Sequence, residues 1–462
     1  MFGTSGVRGP VGETITGRLA LDVGHALAVD RDRVVVGRDP RASGAALADA
    51  LIAGLCESGA DVVDLGLTAT PTVARAVEWE DADAGVAVTA SHNPPADNGL
   101  KLWQPSGQAF DASRRETIAA RVREERFAPA AWDGFGARRR ADASERHVDA
   151  LVDAVTDTAD GAGVGTGGTN ALAPDDSLSV IVDLGNGAGS VAVRGLEALG
   201  CTVETLNAQP DGAFPGRPSE PTAENCASLC ALVAASDADL GVALDGDADR
   251  MRAVDENGQF VDGDVLLALF AREAVRESTV AEPRVAAPVN VSLAVDDALA
   301  DIGAGVVRTR VGDVSVAERA TESEVVFGGE YSGSWIWPAE TLCPDGPLAA
   351  CTLAALASGD TLSELAAAIE TYPTRREAIE TGEKAAAMEC VERRVAERYG
   401  DVATLDGVRV DLGDAWFLVR ASGTQPLVRV SAEAREAGRA EEAFGTAREL
   451  VEDAVGAVED AE

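Results

Sequence analysis

Three times along this chain an apolar run leads through a loop into a helix-length segment, then a glycine, then a second apolar run. The first copy is RVVVG (33–37), a helix over about 44–57, and GADVV (59–63). The second is LSVIVD (178–183), a helix over about 190–199, and GCTV (200–203). The third is RVAAPV (284–289), a helix over about 293–301, and GAGVV (303–307). Strands that alternate with helices form βαβ units and a mostly parallel sheet. A glycine just past each helix suits a left-handed cap. Three copies predict three related α/β domains in tandem, with mostly parallel mixed sheets. The pattern breaks near Tyr372. A long amphipathic helix (382–399), short strands (407–412, 415–419, 427–432) and a last helix from about Ala440 predict a C-terminal α+β domain. The expected division is 1–146, 147–252, 253–369 and 370–462, around a central cleft. The glycine-rich 159–176 reads as an inserted loop or linker.

The chain carries 78 acidic against 39 basic side chains, a formal charge of −39. Nucleic acid and anionic membranes would be repelled, so neither is expected as a partner. The excess acid is spread along the chain and reads as a solvated surface, as in proteins of salt-loving cytoplasms. An anionic substrate then needs a locally positive cleft, which gives weight to arginines inside motifs. No apolar run approaches the ~18 residues of a membrane span. The opening MFGTSGVRGP lacks a signal-peptide core, so a cytoplasmic location is expected. Seven scattered cysteines contain no CxxC pair; inert buried thiols are expected, with neither zinc nor disulfides.

Five stretches hold the chemistry-bearing residues. In GVAVTASHNPPADNGLK (85–101), an apolar strand ends in a polar turn that presents Ser91 and His92 where α/β proteins place their chemistry. Immediate neighbours make a poor hydrolase triad. The stretch ends on Lys101, one of only two lysines. A buried strand (239–244) then leads into DGDADR (245–250). Alternate aspartates in an extended loop point the same way, so Asp245, Asp247 and Asp249 can converge on a hard cation, Mg²⁺ or Ca²⁺. Their mutual repulsion makes a bound cation the natural resolution. An EF-hand also spells D-x-D-x-D, but Arg250 stands where the turn glycine belongs. A haloacid-dehalogenase-type phosphatase begins similarly, but its later threonine and lysine do not follow. RASGTQPLVR (420–429) surrounds two hydroxyls and a glycine with arginines, which is the composition of a phosphate cradle. In GGEYSGSW (328–335), Glu330 and Ser332 could bond adjacent hydroxyls of a polyol. FGTSGVRG (2–9) again combines glycine, hydroxyls and one arginine, Arg8.

In this order and at this spacing, the five stretches resemble the α-D-phosphohexomutase family, which includes phosphoglucomutases, phosphomannomutases and phosphoglucosamine mutases. The resemblance covers essentially the whole chain. It implies that Ser91 carries a phosphoryl group and that Ser91, Asp245, Asp247 and Asp249 hold one Mg²⁺. Arg8, His92, Lys101 and Arg250 would neutralise charge or move protons, with His92 orienting Ser91. Lysine suits position 101, because an acid–base group must be able to lose its proton and arginine does not. Glu330 and Ser332 would contact the sugar; Arg420, Ser422, Gly423, Thr424 and Arg429 would hold the phosphate that is not reacting. The implied substrate is a hexose phosphate, whose phosphate moves between O6 and O1 through a hexose 1,6-bisphosphate that also serves as activator. Many members have His where Ser334 stands, Met, Gln or Pro where Tyr331 stands, and Glu where Gln425 stands. The opening and Val311-Gly312-Asp313 are most similar to phosphoglucosamine mutases, archaeal ones especially. That implies glucosamine 6-phosphate and glucosamine 1-phosphate as the pair, with mannose or glucose phosphates as the alternative. A metal-dependent phosphatase with an aspartate nucleophile and a silent sugar-phosphate sensor are the readings from other classes. The expected state is a monomer or homodimer.

Overall fold

The computed structural model describes residues 3, 6–161, 177–400, 402–422 and 426–459. Its first sheet has six strands in the spatial order Val7–Pro10, Asp97–Trp103, Ala84–Val88, Arg33–Arg38, Asp61–Leu67, Arg138–Arg140. The last four are mutually parallel; the first two join antiparallel. The second sheet runs Met251–Asp255, Leu240–Leu244, Ser179–Asp183, Thr202–Leu206, and the third Gly305–Thr309, Arg284–Pro288, Val325–Glu330, Ser334–Ile336. Each has a parallel centre and one antiparallel edge. The C-terminal sheet is wholly antiparallel: Thr374–Glu380, Leu427–Ala434, Ala415–Ala421, Val408–Asp411, Val402–Ala403.

The repeat expected from the sequence is present. Its helices are Gly44–Glu57, Ser190–Ala198 and Leu293–Ala300. Gly59, Gly200 and Gly303 follow them with φ of +94°, +97° and +76°. Only glycine takes that conformation without a Cβ clash, so it ends the helix and turns the chain back into the sheet.

Two of the strands not expected from the sequence bear on the site. Asp97–Trp103 begins just after the polar turn of 90–95, and it pairs antiparallel with Ala84–Val88 so that Lys101 sits opposite Ala87. Asn98 and Gly99 hide it, being poor strand formers. Gly99 is there for space, since a Cβ would stand 2.4 Å from the Val7 carbonyl oxygen. Thr374–Glu380 escapes notice because of its run of charged residues; Ile379 packs against the C-terminal core.

The second and third sheets share one hydrophobic core, in which Val180, Leu244 and Met251 join Val285, Phe327 and Trp335. The first sheet has cores on both faces and the C-terminal sheet has its own. Val289 and Leu293 of the third segment pack on Trp416 and Leu418 of the fourth. Of the 159–176 stretch, the first three residues finish the helix Ser144–Gly161, and 162–176 lie outside the described residues. All seven cysteines are free; Cys56 and Cys230 are partly exposed and the other five buried. No described helix is long and apolar enough to cross a membrane.

Candidate active site

Ser91 follows the strand Ala84–Val88 and has φ +52°. A left-handed residue that is not glycine costs about 1–3 kcal/mol, so the surroundings must hold it there. Arg41, wholly buried, does so through backbone carbonyls. Its Nη2 donates to the oxygens of Ser91 (2.8 Å) and Asn93 (2.6 Å), and its Nη1 to those of Pro94 (2.6 Å) and Asp97 (2.8 Å). Its Nε donates to Asp39 Oδ2 at 2.9 Å, and its plane lies over the Phe214 ring. Thr89 Oγ1 donates to the same Asp39 oxygen and accepts the Ser91 N–H. From the second segment, Ser219 Oγ donates to the Ser91 carbonyl at 2.9 Å and accepts the Gly246 N–H. The Ser91 loop is thereby fastened to the aspartate loop.

That aspartate loop is not extended, as its alternation suggests. Asp245–Arg250 is a tight turn between antiparallel strands, with Ala248 at φ +58° and its N–H bonded to the Asp245 carbonyl. The short hairpin connection forces the turn. The three carboxylates still converge, each offering an oxygen within 4.8 Å of the others, and all three are buried. Ser91 Oγ donates to Asp245 Oδ2 at 2.7 Å and lies 3.5 Å from Asp249 Oδ1 and 3.3 Å from His92 Nδ1. Lys101 Nζ donates to Asp247 Oδ2 at 2.8 Å and to Asp249. Thr70, at the start of the helix Thr70–Trp79, donates its hydroxyl to Asp247 Oδ2 (2.6 Å) and its N–H to the Asp247 carbonyl (2.8 Å). Asp247 Oδ1 is buried and has no partner. An orphaned carboxylate oxygen beside two converging carboxylates fits a hard divalent cation.

Electrostatics divide the cluster. Burial, then Asp249 and Asp247, push the Asp245 carboxyl up. Burial does the same to Asp247, but the Lys101 ammonium and the Thr70 hydroxyl outweigh it and hold this group below the usual range. Lys101 is disfavoured by burial and rescued by Asp247 and Asp249, so its pKa is raised. In this arrangement it is held in the ammonium form. Burial, followed by Arg250, Arg8 and Lys101, lowers the His92 pKa to about 2. A neutral imidazole there can orient Ser91. Arg8 stands opposite Gly99 with a buried, unpartnered Nε. Arg250 gives its N–H to Asp245 Oδ1.

Glu330 ends a strand of the third sheet. Its Oε1 accepts the Gly312 N–H at 2.8 Å, and burial, with Asp313 adding, pushes its carboxyl up to about 7. Ser332 is half-buried in the turn that follows. This turn is tied to the aspartate loop: the Met251 N–H donates to the Gly333 carbonyl, and Trp335 Nε1 to the Met251 carbonyl. In the C-terminal sheet, Arg420 and Arg429 are register partners. Arg420 Nη1 reaches Asp406 Oδ2 at 3.4 Å, and the same oxygen accepts the Val311 N–H. One chain of contacts therefore runs from Glu330 through 311–312 and Asp406 to Arg420. Lys384 Nζ donates to the Ser422 carbonyl at 2.6 Å. Gly423, Thr424 and Gln425 lie outside the described residues, as do Phe2, Thr4 and Ser5.

Asp39, Arg41, Thr70, Ser219 and Lys384 escape a reading by motif. Two left a trace. Arg38-Asp39-Pro40-Arg41 is a charged cluster at the end of a parallel strand, and Lys384 is the other lysine of a chain with two.

Four domain models of one family match in order. They are described as phosphoglucomutase/phosphomannomutase alpha/beta/alpha domains I (1–129), II (168–258) and III (262–372), and the C-terminal domain (376–449). Fold and site thus define an intramolecular phosphotransferase of the phosphohexomutase class. The chain belongs to the phosphoglucomutase/phosphomannomutase family. It is 42% identical to a probable phosphoglucosamine mutase of Methanococcoides burtonii over 98% of this chain and 99% of that one. It is 44% identical to a protein of the same description from Methanopyrus kandleri, over 96% and 95%. Among solved structures, a phosphoglucomutase/phosphomannomutase family protein of Burkholderia thailandensis superposes with a TM-score of 0.85 at 27% identity, covering 98% of each chain. An N-acetylphosphoglucosamine mutase of Aspergillus fumigatus, solved with GlcNAc-6P and magnesium, shares the fold at 17% identity (TM-score 0.60; 98% and 96% covered).

Proposed function

We propose that this chain interconverts glucosamine 6-phosphate and glucosamine 1-phosphate through a phosphorylated Ser91. The observation that carries the reading is the Ser91 hydroxyl, 2.7 Å from Asp245 and facing the three converging carboxylates. The names of the archaeal relatives support the substrate.

Asp245, Asp247, Asp249 and Ser91 would hold Mg²⁺, which supplies positive charge to the transferring phosphoryl group. The other roles fall to the chain's own residues. In the forward step the bond from phosphorus to Ser91 Oγ breaks, a bond to the free sugar oxygen forms, and the proton of that sugar hydroxyl ends on Ser91 Oγ. Arg8, Lys101 and Arg250 surround that centre with positive charge, where electrostatic stabilisation contributes most. Because Asp247 and Asp249 keep Lys101 protonated, we assign it to deliver a proton from Nζ when a sugar oxygen leaves, and to recover one in the reverse direction. His92, neutral, orients Ser91. Glu330 and Ser332 bond the ring hydroxyls. Arg420, Ser422, Gly423, Thr424 and Arg429 hold the far phosphate. The bisphosphate then turns over, the phosphate that the substrate brought with it passes to Ser91 while the one Ser91 gave stays on the product, and added hexose 1,6-bisphosphate acts as activator by charging Ser91. All these residues come from one chain, so the site is complete in a monomer or in each half of a homodimer. The reading places the enzyme with its phosphorylated sugars in the cytoplasm.

The test is turnover of glucosamine, mannose and glucose 1-phosphates side by side, with Mg²⁺ and the matching bisphosphate. The glucosamine ester should be preferred. Preference for mannose or glucose would move the enzyme to another branch, and no turnover of any would favour the sensor reading.

A further inference from the structure

One arginine outside the predicted motifs faces the same cleft. In the C-terminal sheet, Phe417, Val419, Val428 and Val430 point into the helix-covered core, and Ile379 packs against it. Alternation turns Arg376, Leu418, Arg420, Arg429 and Ser431 to the other face. The register sets Arg376 beside Ser431, and Arg429 between Ala378 and Arg420. Arg376, Arg420 and Arg429 together line a cavity of about 290 Å³, whose far wall carries Tyr331 and Asn290 of the third segment. Among the described residues no carboxylate lies within ion-pair distance of Arg376, in a chain with twice as many acidic as basic side chains. Its guanidinium instead lies over the Tyr331 ring, 5.0 Å from the centroid. Asn290 Oδ1 is buried without a partner. Three guanidiniums on one wall suit a phosphate dianion with three terminal oxygens, each fork offering two donors.

We propose that Arg376 is a third phosphate-binding arginine of this cleft, and that its stacking on Tyr331 ties phosphate capture to the turn carrying Glu330 and Ser332. This rests on the reading of the cleft as a sugar-phosphate site. A phosphate that engages Arg376 fixes the face on which Tyr331 rests, and Tyr331 is the chain neighbour of Glu330. Position 331 therefore bears on sugar choice through the phosphate side.

Calorimetric titration of the full chain carrying Ser91→Ala, with glucosamine 6-phosphate and separately with inorganic phosphate, reads this without turnover. Arg376→Ala should weaken both by roughly 10–100-fold, the loss of one charge-assisted contact. Arg376→Lys should recover part of it. Arg439→Ala, which removes the same charge from a helix where Arg439 pairs with Asp414 and Glu442, should stay within about twofold. Tyr331→Leu should weaken the sugar phosphate more than inorganic phosphate. An Arg376→Ala loss no larger than that of Arg439→Ala overturns the assignment, and so does a Ser91→Ala parent that binds neither anion. Equal effects of Tyr331→Leu on the two anions overturn the coupling. Turnover by the unsubstituted chain tests the mutase reading separately, so failure of one is distinguishable from failure of the other.

Discussion

Arg41 holds the carbonyl of Ser91 at 2.8 Å and, with its remaining donors, three further carbonyls of the same loop and Asp39. A buried cation satisfied mainly by backbone oxygens fixes the path of the chain and, with it, the left-handed Ser91. Arg41→Met keeps the volume but strands Asp39 without its counter-charge. Breaking a buried pair from one side costs about 3–5 kcal/mol. Chemical denaturation should show a loss of that order. In the fraction that stays folded, kcat should fall at least ~10-fold with KM little changed, since Ser91 moves and the far phosphate site does not. A stable variant with normal kcat would remove Arg41 from the account.

Lys101 has a paired role that arginine copies only in part. Lys101→Arg keeps a cation beside Asp247 and Asp249 but one that does not release a proton. Substrate binding should persist while turnover drops by ~10²–10⁴-fold, the usual size of an acid–base contribution. Near-normal turnover would leave Lys101 with charge neutralisation alone.

Asp264 is a buried carboxyl near the junction of the third and fourth segments, where it accepts the Ser292 N–H at 3.1 Å. Burial raises its pKa to about 7, against the pull of Ser292 and Arg376. The folded chain therefore binds this proton more tightly than the unfolded one. The stabilisation is complete below about pH 4 and is lost as pH rises through 7. Asp264→Asn keeps an acceptor for Ser292 and removes the titration. Relative to the variant, the native chain should lose up to a few kcal/mol between pH 4 and pH 8. Parallel stability curves for the two proteins would contradict this.

Which parts of this were legible without coordinates follows from what kind of contact each residue makes. Gly59, Gly200 and Gly303 mark helix ends because their role is conformational and local. Asp245, Asp247 and Asp249 declare a cation site because three carboxylates in five residues have few other uses. Arg41 was not legible, since four of its partners are carbonyls and any residue type has a carbonyl. Thr70 was hidden for a different reason: its partner Asp247 is 177 positions away. The strand Asp97–Trp103 was masked by Gly99, a residue chosen for clearance from Val7. The shared core of the second and third sheets leaves no periodic signal, because each strand is apolar whichever neighbour it meets.

The surface charge makes its own prediction. With −39 formal charges, self-repulsion opposes the compact state until counter-ions screen it. Stability and activity should both rise steeply as salt increases toward molar concentration. Full stability in dilute buffer would show that the acid excess is balanced locally.

Everything in the proposed cycle turns on Ser91 as the carrier of the phosphoryl group. Intact-mass measurement and peptide mapping after incubation with a hexose 1,6-bisphosphate and Mg²⁺ address it directly. One added phosphoryl group per chain is expected, on Ser91, absent from Ser91→Ala together with the turnover. A phosphoryl group found on Asp245 or Asp247, with Ser91→Ala still active, would contradict it.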